Sequence, residues 1–346
     1  MKKTFYYLFI ILFVAGGIAI FATGQRDFSE NENRYLNTFE KIKSTDDVEK
    51  TLADQFPMRD AWLGISSTAK YAFFQREIND ALIGKDGYIF DSVSGEDFDS
   101  NGYENNLLFI STFAESYDAD ISLLLVPSPY TVLPEYLPAN ADVYDADEKF
   151  KQAAESFSSG NVQFFDLRKM LEELKKETQV YYRTDHHWTT TAAAYAYEYI
   201  GGGIDAKNTG LTPVTDSFRG TMYSRVLLPG SAYDEIYAYK PDELIGVYDE
   251  EKLGTKDKYA YFLGGNENRI DLAGSGSGRL LLFKDSFANC MIPFMLEDYE
   301  QITVIDLRFF NDSVPELMKE GFDRVLILYE ISNFAGDKNL YKLAKV

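Results

Sequence analysis

A chain of 346 residues with 45% hydrophobic content is long enough for one large domain or two ordinary ones, and apolar enough to exclude disorder throughout. Its net charge is −21, from 34 basic and 55 acidic residues, which argues against nucleic acid as a partner because the phosphate backbone would be repelled. The single cysteine, Cys290, cannot form a disulfide within the chain.

The first predicted element is a membrane span. Lys2 and Lys3 precede an uncharged run from Thr4 to Gly24, and roughly 20 apolar residues are enough to cross a bilayer as a helix. Lysines before the run favour a cytoplasmic N-terminus. We therefore expect residues 1–24 to be a cytoplasmic start and a single-pass transmembrane helix in the cell membrane, with the rest of the chain extracytoplasmic. A cleaved signal peptide is the alternative, although bulky residues interrupt the small-residue cleavage pattern at residues 19–24.

Residues 25–80 are predicted to be a stalk and a lead-in helix. Residues 25–57 are polar and charged, whereas between Met58 and Asn79 apolar residues recur at three- and four-residue steps. This spacing predicts an amphipathic helix that lies on a core. Its apolar positions are Trp62, Ile65, Ala69, Ala72 and Phe73.

Apolar runs alternate with helical patterns over residues 81–346. The predicted strands include 121–126, 162–166, 279–283, 302–305 and 325–329, and the predicted helices include 103–117, 146–157, 167–178 and 189–200. Such alternation predicts an α/β domain with a mostly parallel sheet covered by helices on both faces. Residues 204–278 break the pattern and are predicted to be an irregular insertion with short hairpins. Seven tyrosines at 223–261 suit either a sugar-binding surface or ordinary strand packing.

Both histidines of the chain lie in the stretch from Tyr181 to Trp188. Asp185 and His187 are two residues apart and share one side of an extended segment, so the aspartate could orient the imidazole if the backbone bends locally. A general base with its orienting acid is one interpretation. A structural polar pair is the second, and a metal site of Asp185, His186 and His187 is the third, although the sequence offers no third histidine to complete it.

A candidate nucleophile follows a predicted strand. Ser286 lies between the apolar run 279–283 and an apolar helical segment, which places it at the edge where open α/β sheets carry their sites. Its own backbone N–H and that of its neighbour could stabilise an oxyanion. The alternative is that Ser286 serves only as a helix N-cap.

These motifs together resemble a known family. The sequences Thr184–Thr189 (TDHHWT) and Lys284–Ala288 (KDSFA) are similar to those of the bacterial DHHW-motif family, which is related to the SGNH-hydrolase-like alginate O-acetyltransferases. Supporting segments are Glu32–Arg34, Asp54–Asp60, Phe218–Ser224 and Ile305–Arg308. The resemblance implies an SGNH-hydrolase-like (flavodoxin-like) fold and a triad of Ser286 as nucleophile, His187 as base and Asp185 as orienting acid. The variable position of the motif falls on His186, whose role stays open.

The resemblance also implies a function. We expect a serine O-acyltransferase that O-acetylates a cell-surface or exported polysaccharide, with the acyl donor supplied by a membrane protein partner and with no cofactor or metal. A carbohydrate esterase with the same triad and a non-catalytic envelope scaffold are the alternatives. Three further residues are tentative substrate contacts: Arg308, Tyr223 and Trp188. Their structural alternatives are an ion pair with Asp306 or Asp312 for Arg308, hairpin packing for Tyr223 and packing beneath the motif for Trp188.

Overall fold

The structure is a computed structural model that describes residues 6–7, 17, 24–31, 34–158, 160, 162–241 and 246–345. Its strands are β1 (Phe28–Ser29), β2 (Arg34–Tyr35), β3 (Glu77–Ile78), β4 (Ala81–Ile83), β5 (Ile89–Asp91), β6 (Asp120–Val126), β7 (Val162–Asp166), β8 (Thr212–Phe218), β9 (Asp234–Ala238), β10 (Arg269–Ala273), β11 (Arg279–Lys284), β12 (Gln301–Ile305) and β13 (Arg324–Glu330).

The α-helices are α1 (Thr45–Asp54), α2 (Arg59–Ala72), α3 (Ser100–Ser116), α4 (Pro129–Val132), α5 (Ala146–Ser156), α6 (Arg168–Leu174), α7 (Thr190–Tyr199), α8 (Thr221–Val226), α9 (Ile292–Met295), α10 (Val314–Met318) and α11 (Ile331–Gly336). Short 3-10 helices cover Phe39–Lys41, Pro134–Tyr136, Ala206–Asn208, Glu250–Gly254, Lys258–Tyr261, Ser286–Cys290 and Leu340–Ala344.

A six-stranded sheet organises the chain in the order β10-β12-β11-β13-β6-β7. Every neighbouring pair is parallel except β10 with β12 at one edge, which is antiparallel. In β11 the residues from Leu280 to Lys284 are all buried, whichever face they point to. Burial on both sides is the mark of a parallel sheet covered by helices on both faces. The predicted α/β fold with a mostly parallel sheet is therefore confirmed.

The predicted transmembrane helix is wrong as a feature of this structure. Within the described residues, no helix is both long enough and apolar enough to cross a bilayer. Most of the predicted span at residues 4–24 lies outside the residues that the structure describes.

The lead-in region is helical, but its apolar face is not on a core. Helix α2 covers Arg59–Ala72 as the periodicity predicts, yet Trp62, Ile65 and Phe73 are 55%, 58% and 84% exposed within the described structure. Only Gly64 and Ser67 of this helix are buried. The apolar spacing therefore predicted the helix correctly and its packing incorrectly.

The segment predicted as an irregular insertion is only partly separate from the sheet. Strands β8 and β9 form their own antiparallel pair, and short 3-10 helices follow them. Strand β10, however, pairs along its whole length with β12 and completes the edge of the main sheet. A five-residue strand of this kind carries too little periodicity to be distinguished from a hairpin in the sequence.

Candidate active site

The stretch with both histidines bends back on itself near the carboxyl end of β11. Tyr181 and Trp188 form an isolated antiparallel bridge. The N–H of Tyr182 donates to the carbonyl of His187 over 3.1 Å, and the N–H of Thr189 donates to the carbonyl of Val180 over 2.9 Å. The residues between these bonds form a tight loop, which is the local bend that the Asp-x-His spacing requires.

Asp185 reaches His187 through an Asx-type turn. Its Oδ1 accepts the backbone N–H of His187 over 3.0 Å and lies 2.5 Å from Nδ1 of the same residue. Aspartate favours this turn because its short side chain bonds the backbone two residues ahead. One oxygen thus fixes both the loop and the orientation of the imidazole.

The second carboxylate oxygen of Asp185 is held by the start of α8. It accepts the N–H of Thr221 over 2.8 Å and the Thr221 hydroxyl over 3.1 Å. Gly220 lies so close that a Cβ there would overlap the carboxylate. Burial raises the pKa of Asp185, but the neighbouring histidines and the hydrogen bonds from His187 and Thr221 outweigh it and hold the pKa well below its usual range. Asp185 is therefore a carboxylate.

Ser286 meets this pair from the main sheet. It follows β11 after one residue, Asp285, and its Oγ lies 2.7 Å from Nε2 of His187. The N-cap of the following 3-10 helix is Asp285, whose carboxylate accepts the N–H of Phe287 over 2.9 Å. Because Asp285 performs the capping, the interpretation of Ser286 as a mere N-cap is wrong, and its hydroxyl bonds to the histidine.

The loop of Ser286 is anchored to the neighbouring strand. The second oxygen of Asp285 accepts the N–H of Glu330, at the end of β13, over 2.9 Å. The side-chain amide of Asn333 donates to the same oxygen over 2.8 Å. The aspartate before the serine therefore ties the end of β11 to the end of β13.

Aromatic rings fix the plane of the His187 imidazole. Tyr259 stacks on it with a centroid separation of 3.8 Å and an interplanar angle of 12°, and Phe287 lies 5.0 Å away by centroids. The Tyr259 hydroxyl donates to the carbonyl of Ser286 over 3.2 Å. One tyrosine thus contacts both the histidine and the serine.

Of the two predicted oxyanion donors, only the backbone N–H of Ser286 is available. The N–H of Phe287 is already bonded to Asp285, so the neighbour of the serine cannot serve as predicted. The N–H of Ser286 starts the 3-10 helix, where first-turn N–H groups have no intrahelical partner. In the described part of the chain, Ser286 therefore keeps one backbone donor beside its own hydroxyl.

Two of the tentative substrate contacts have structural partners. Trp188 is 0% exposed, and its Nε1–H donates to the carbonyl of Phe287 over 2.8 Å, so its ring offers no face to a sugar and its assignment as a substrate contact is wrong. Arg308 forms two hydrogen bonds with the carboxylate of Asp306, at 2.9 and 2.6 Å. This is the ion pair named as its alternative, and a substrate role for Arg308 stays a prediction.

Tyr223 lies in α8 beside two cations. The guanidinium of Arg219 is 4.7 Å from its ring centroid and the ammonium of Lys256 is 4.8 Å away. The backbone N–H of Tyr223 donates to the carbonyl of Thr184 over 3.0 Å, which joins α8 to the histidine loop. A substrate role for Tyr223 also stays a prediction.

The residues Asp185, His186 and His187 each offer a ligand atom within 4.8 Å of the others. Most of the atoms that a cation would need are already hydrogen-bonded. Both oxygens of Asp185 are bonded to His187 or Thr221, and Nδ1 of His186 lies 2.7 Å from the Thr221 hydroxyl. A metal here would have to displace this network, so the arrangement fits acid–base chemistry better than metal binding.

Sequence reasoning missed three contributors: Gly220, Thr221 and Tyr259. The first two lie in the segment Phe218–Ser224, which supported the family resemblance but was given no role in the site. Tyr259 is one of many tyrosines in its region, and nothing in the sequence distinguishes it. All three act through contacts between distant parts of the chain.

Comparison with known proteins agrees with the fold and the motif. A family model described as "SGNH hydrolase-like domain, acetyltransferase AlgX" matches residues 82–275, more than half of the chain. A probable alginate O-acetylase AlgJ from Pseudomonas syringae pv. tomato is 24% identical over 215 residues, which is 60% of this chain and 54% of that protein. A namesake from Pseudomonas putida is 23% identical over 162 residues, 44% of this chain and 41% of that protein. The chain thus spans about half the length of these curated relatives.

Two solved structures share the fold. A DHHW family protein from Eubacterium siraeum has a TM-score of 0.63 at 23% identity, covering 77% of this chain and 95% of that one. Bacillus cereus PatB1 with a sulfonyl adduct has a TM-score of 0.61 at 19% identity, covering 77% and 98%. The family model over residues 82–275 and the shared fold confirm the resemblance inferred from the motifs, and the description of that family model is of an acetyltransferase.

Proposed function

Because the chain belongs to the SGNH hydrolase-like family of AlgX-type acetyltransferases, we propose that it is a serine O-acyltransferase that acetylates a polysaccharide through Ser286, His187 and Asp185. One observation carries the proposal. The hydroxyl of Ser286 lies 2.7 Å from Nε2 of His187, whose Nδ1 lies 2.5 Å from the carboxylate of Asp185. This is the order of contacts that a nucleophile, a base and an orienting acid require.

The first half-reaction makes an acyl-enzyme. Ser286 Oγ attacks the carbonyl carbon of an acyl donor while Nε2 of His187 takes the hydroxyl proton. The ionised Asp185 stabilises the imidazolium that forms, and the N–H of Ser286 faces the developing oxyanion. Collapse of the tetrahedral intermediate expels the leaving group, which takes the proton from His187.

The second half-reaction runs the same steps in reverse. A sugar hydroxyl gives its proton to His187 and attacks the ester carbon on Ser286, and Ser286 Oγ leaves with that proton. Water in place of the sugar would make the same site an esterase. The curated relatives are named alginate O-acetylases, which supports a polysaccharide as the acceptor.

The proposal extends to the setting of the reaction. The acceptor is a cell-surface or exported polymer, and the acyl donor is supplied by a membrane protein partner, by analogy with the alginate system to which the motifs point. Because such an acceptor lies outside the cytoplasm, the proposal includes an extracytoplasmic site of action.

The test is acetyl transfer by the purified chain. We expect release of the aryl alcohol from an aryl acetate and appearance of an acetylated oligosaccharide. Ser286→Ala should lower both by about 10³-fold or more, whereas Ser156→Ala, at an exposed helical serine, should lower neither. Aryl alcohol release without any acetylated sugar would identify an esterase. No release by the wild-type protein would favour a non-catalytic scaffold.

A further inference from the structure

The second histidine of the motif ends a chain of hydrogen bonds that runs behind the triad. Nδ1 of His186 lies 2.7 Å from the hydroxyl oxygen of Thr221. That hydroxyl lies 3.1 Å from Oδ2 of Asp185. The other oxygen of Asp185 continues the chain to His187 and from there to Ser286. His186 is therefore connected to the site, although the proposed reaction gives it no role.

The directions of these bonds fix where the proton of His186 lies. Asp185 is a carboxylate and only accepts, so the single hydroxyl proton of Thr221 is donated to it. The oxygen of Thr221 must then accept from Nδ1–H of His186. A neutral imidazole carries one N–H, which leaves Nε2 as a lone-pair acceptor. Burial, followed by the neighbouring His187, lowers the pKa of His186 to about 4, in keeping with a neutral ring near pH 7.

The free nitrogen of His186 is accessible and adjoins the base. Its side chain is 28% exposed. Within the described structure, Nε2 of His186 has no hydrogen-bond partner and is open to solvent. The His186 ring packs against that of His187 with a centroid separation of 3.9 Å. A hydrogen-bond acceptor of fixed tautomer thus stands beside the imidazole that handles the proton of Ser286.

We propose that His186 binds the acceptor, and that the acceptor is a sugar with two vicinal hydroxyls. One hydroxyl gives its proton to Nε2 of His187 and attacks the acyl group on Ser286, as in the proposed function on which this inference rests. The neighbouring hydroxyl donates a hydrogen bond to Nε2 of His186 and keeps its proton throughout. Water offers no second hydroxyl, so this contact favours transfer to a diol over hydrolysis.

The test removes Nε2 and keeps the rest of the chain of bonds. In His186→Asn the side-chain amide nitrogen occupies the place of Nδ1 and can still donate to Thr221, while nothing replaces Nε2. In His186→Gln the longer amide reaches the place of Nε2 and can again accept. The acyl donor is an aryl acetate, and the acceptors are trans-cyclohexane-1,2-diol and cyclohexanol, which differ only in the second hydroxyl.

We expect the wild-type protein to transfer acetyl to the diol about tenfold more efficiently than to cyclohexanol, the value of one hydrogen bond near 1.4 kcal/mol. His186→Asn should abolish this preference, with a loss in transfer to the diol that exceeds the loss in aryl acetate hydrolysis. His186→Gln should restore part of the preference.

Three results would overturn the inference. The first is that the wild-type protein acetylates the two alcohols equally well, or acetylates neither. The second is an unchanged preference for the diol in His186→Asn. The third is that His186→Asn loses hydrolysis and transfer equally, which would mean that His186 only supports Asp185 through Thr221. Failure of the proposed function looks different, because the wild-type protein would then release no aryl alcohol, or would release it without acetylating the oligosaccharide.

Discussion

The loop that carries Asp185 and His187 differs from the junction that carries Ser286 in what holds it in place. The junction continues β11, which pairs with a strand on each side, so the sheet itself sets the position of the serine. The loop is closed by one isolated bridge between Tyr181 and Trp188 and is positioned by side-chain contacts and by single backbone bonds, such as that from the N–H of Tyr223 to the carbonyl of Thr184. The serine and the pair that activates it are thus held in place by different means, although side chains join them.

This difference indicates where the site is vulnerable. The loop depends on a few specific contacts, namely the bonds of Asp185, the space at Gly220 and the indole N–H of Trp188. The junction depends on the sheet and on buried polar groups at the ends of β11 and β13. Changes to the loop should therefore affect activity first, whereas changes to the junction should affect stability.

The largest effect is expected from Asp185→Asn. The carboxylate accepts four hydrogen bonds, two from His187 and two from Thr221, and a carboxamide must turn an N–H towards one of these donors. The imidazole would then lose its orientation and tautomer, so we expect aryl acetate hydrolysis to fall by about 10⁴-fold. Steady-state kinetics measure this, with the exposed Asp216→Asn as control. A loss below tenfold would show that the loop does not activate the serine.

Gly220→Ala should come next. The φ of Gly220 is −92°, which any residue can adopt, so only space is at issue. A Cβ would overlap the Asp185 carboxylate and push it from His187, and misplacement by about 1 Å costs about 10²-fold in rate. Gly254→Ala is the matched control, because a Cβ there meets nothing within 4 Å. Equal activity of the two variants would mean that Asp185 has room to shift.

Glu330→Gln tests the junction through the pH dependence of the free energy of unfolding. Burial raises the pKa of Glu330 to about 7, from the ordinary 4.5. The native state therefore retains a proton that the unfolded chain releases, and the stability this contributes is complete below about pH 4.5 and lost as the pH rises through about 7.

Glutamine does not titrate. Between pH 5 and pH 8, the free energy of unfolding of the variant should therefore fall by up to about 3 kcal/mol less than that of the wild-type protein. Urea unfolding at the two pH values measures the difference. The exposed Glu316→Gln should follow the wild-type protein, and a Glu330→Gln variant that also follows it would contradict a raised pKa.

The smallest effect is expected from Trp188→Phe, at the contact between loop and junction. The substitution removes the bond from Nε1 to the carbonyl of Phe287 and leaves that buried carbonyl with only the weak thiol donor of Cys290, at a cost of about 1–3 kcal/mol. Trp62→Phe is the control, because Trp62 is 55% exposed and should change the free energy of unfolding by less than about 0.5 kcal/mol. Equal stability of both variants would mean that the indole does not join the two halves.

The junction could be predicted from sequence, whereas the loop could not. An apolar run followed by Asp285 and Ser286 indicates a buried strand with a serine at its carboxyl end, because strand burial and edge position follow from local pattern. The pairing of Asp185 with His187 depends on a bend that two-residue spacing permits but does not require. The Asp-x-His spacing and the family resemblance together selected His187 over His186.

Other features were beyond local pattern because they arise between distant segments. The contact of Gly220 with Asp185 joins residues 35 positions apart in the chain, and the stacking of Tyr259 on His187 spans a larger separation. Helix α2 shows the opposite limit. Its periodicity predicted the helix, yet Ile65 and Phe73 lie exposed, because spacing along a helix does not reveal what the apolar face meets.

The most direct test of the account is covalent labelling of Ser286 by a sulfonyl fluoride, read by peptide mass spectrometry. Activation by His187 and Asp185 predicts a single adduct on Ser286 in the wild-type protein, no adduct in Ser286→Ala, and labelling of His187→Ala slowed by about 10³-fold or more. Labelling of His187→Ala at the wild-type rate, or no adduct on Ser286 in a folded wild-type protein, would contradict the account.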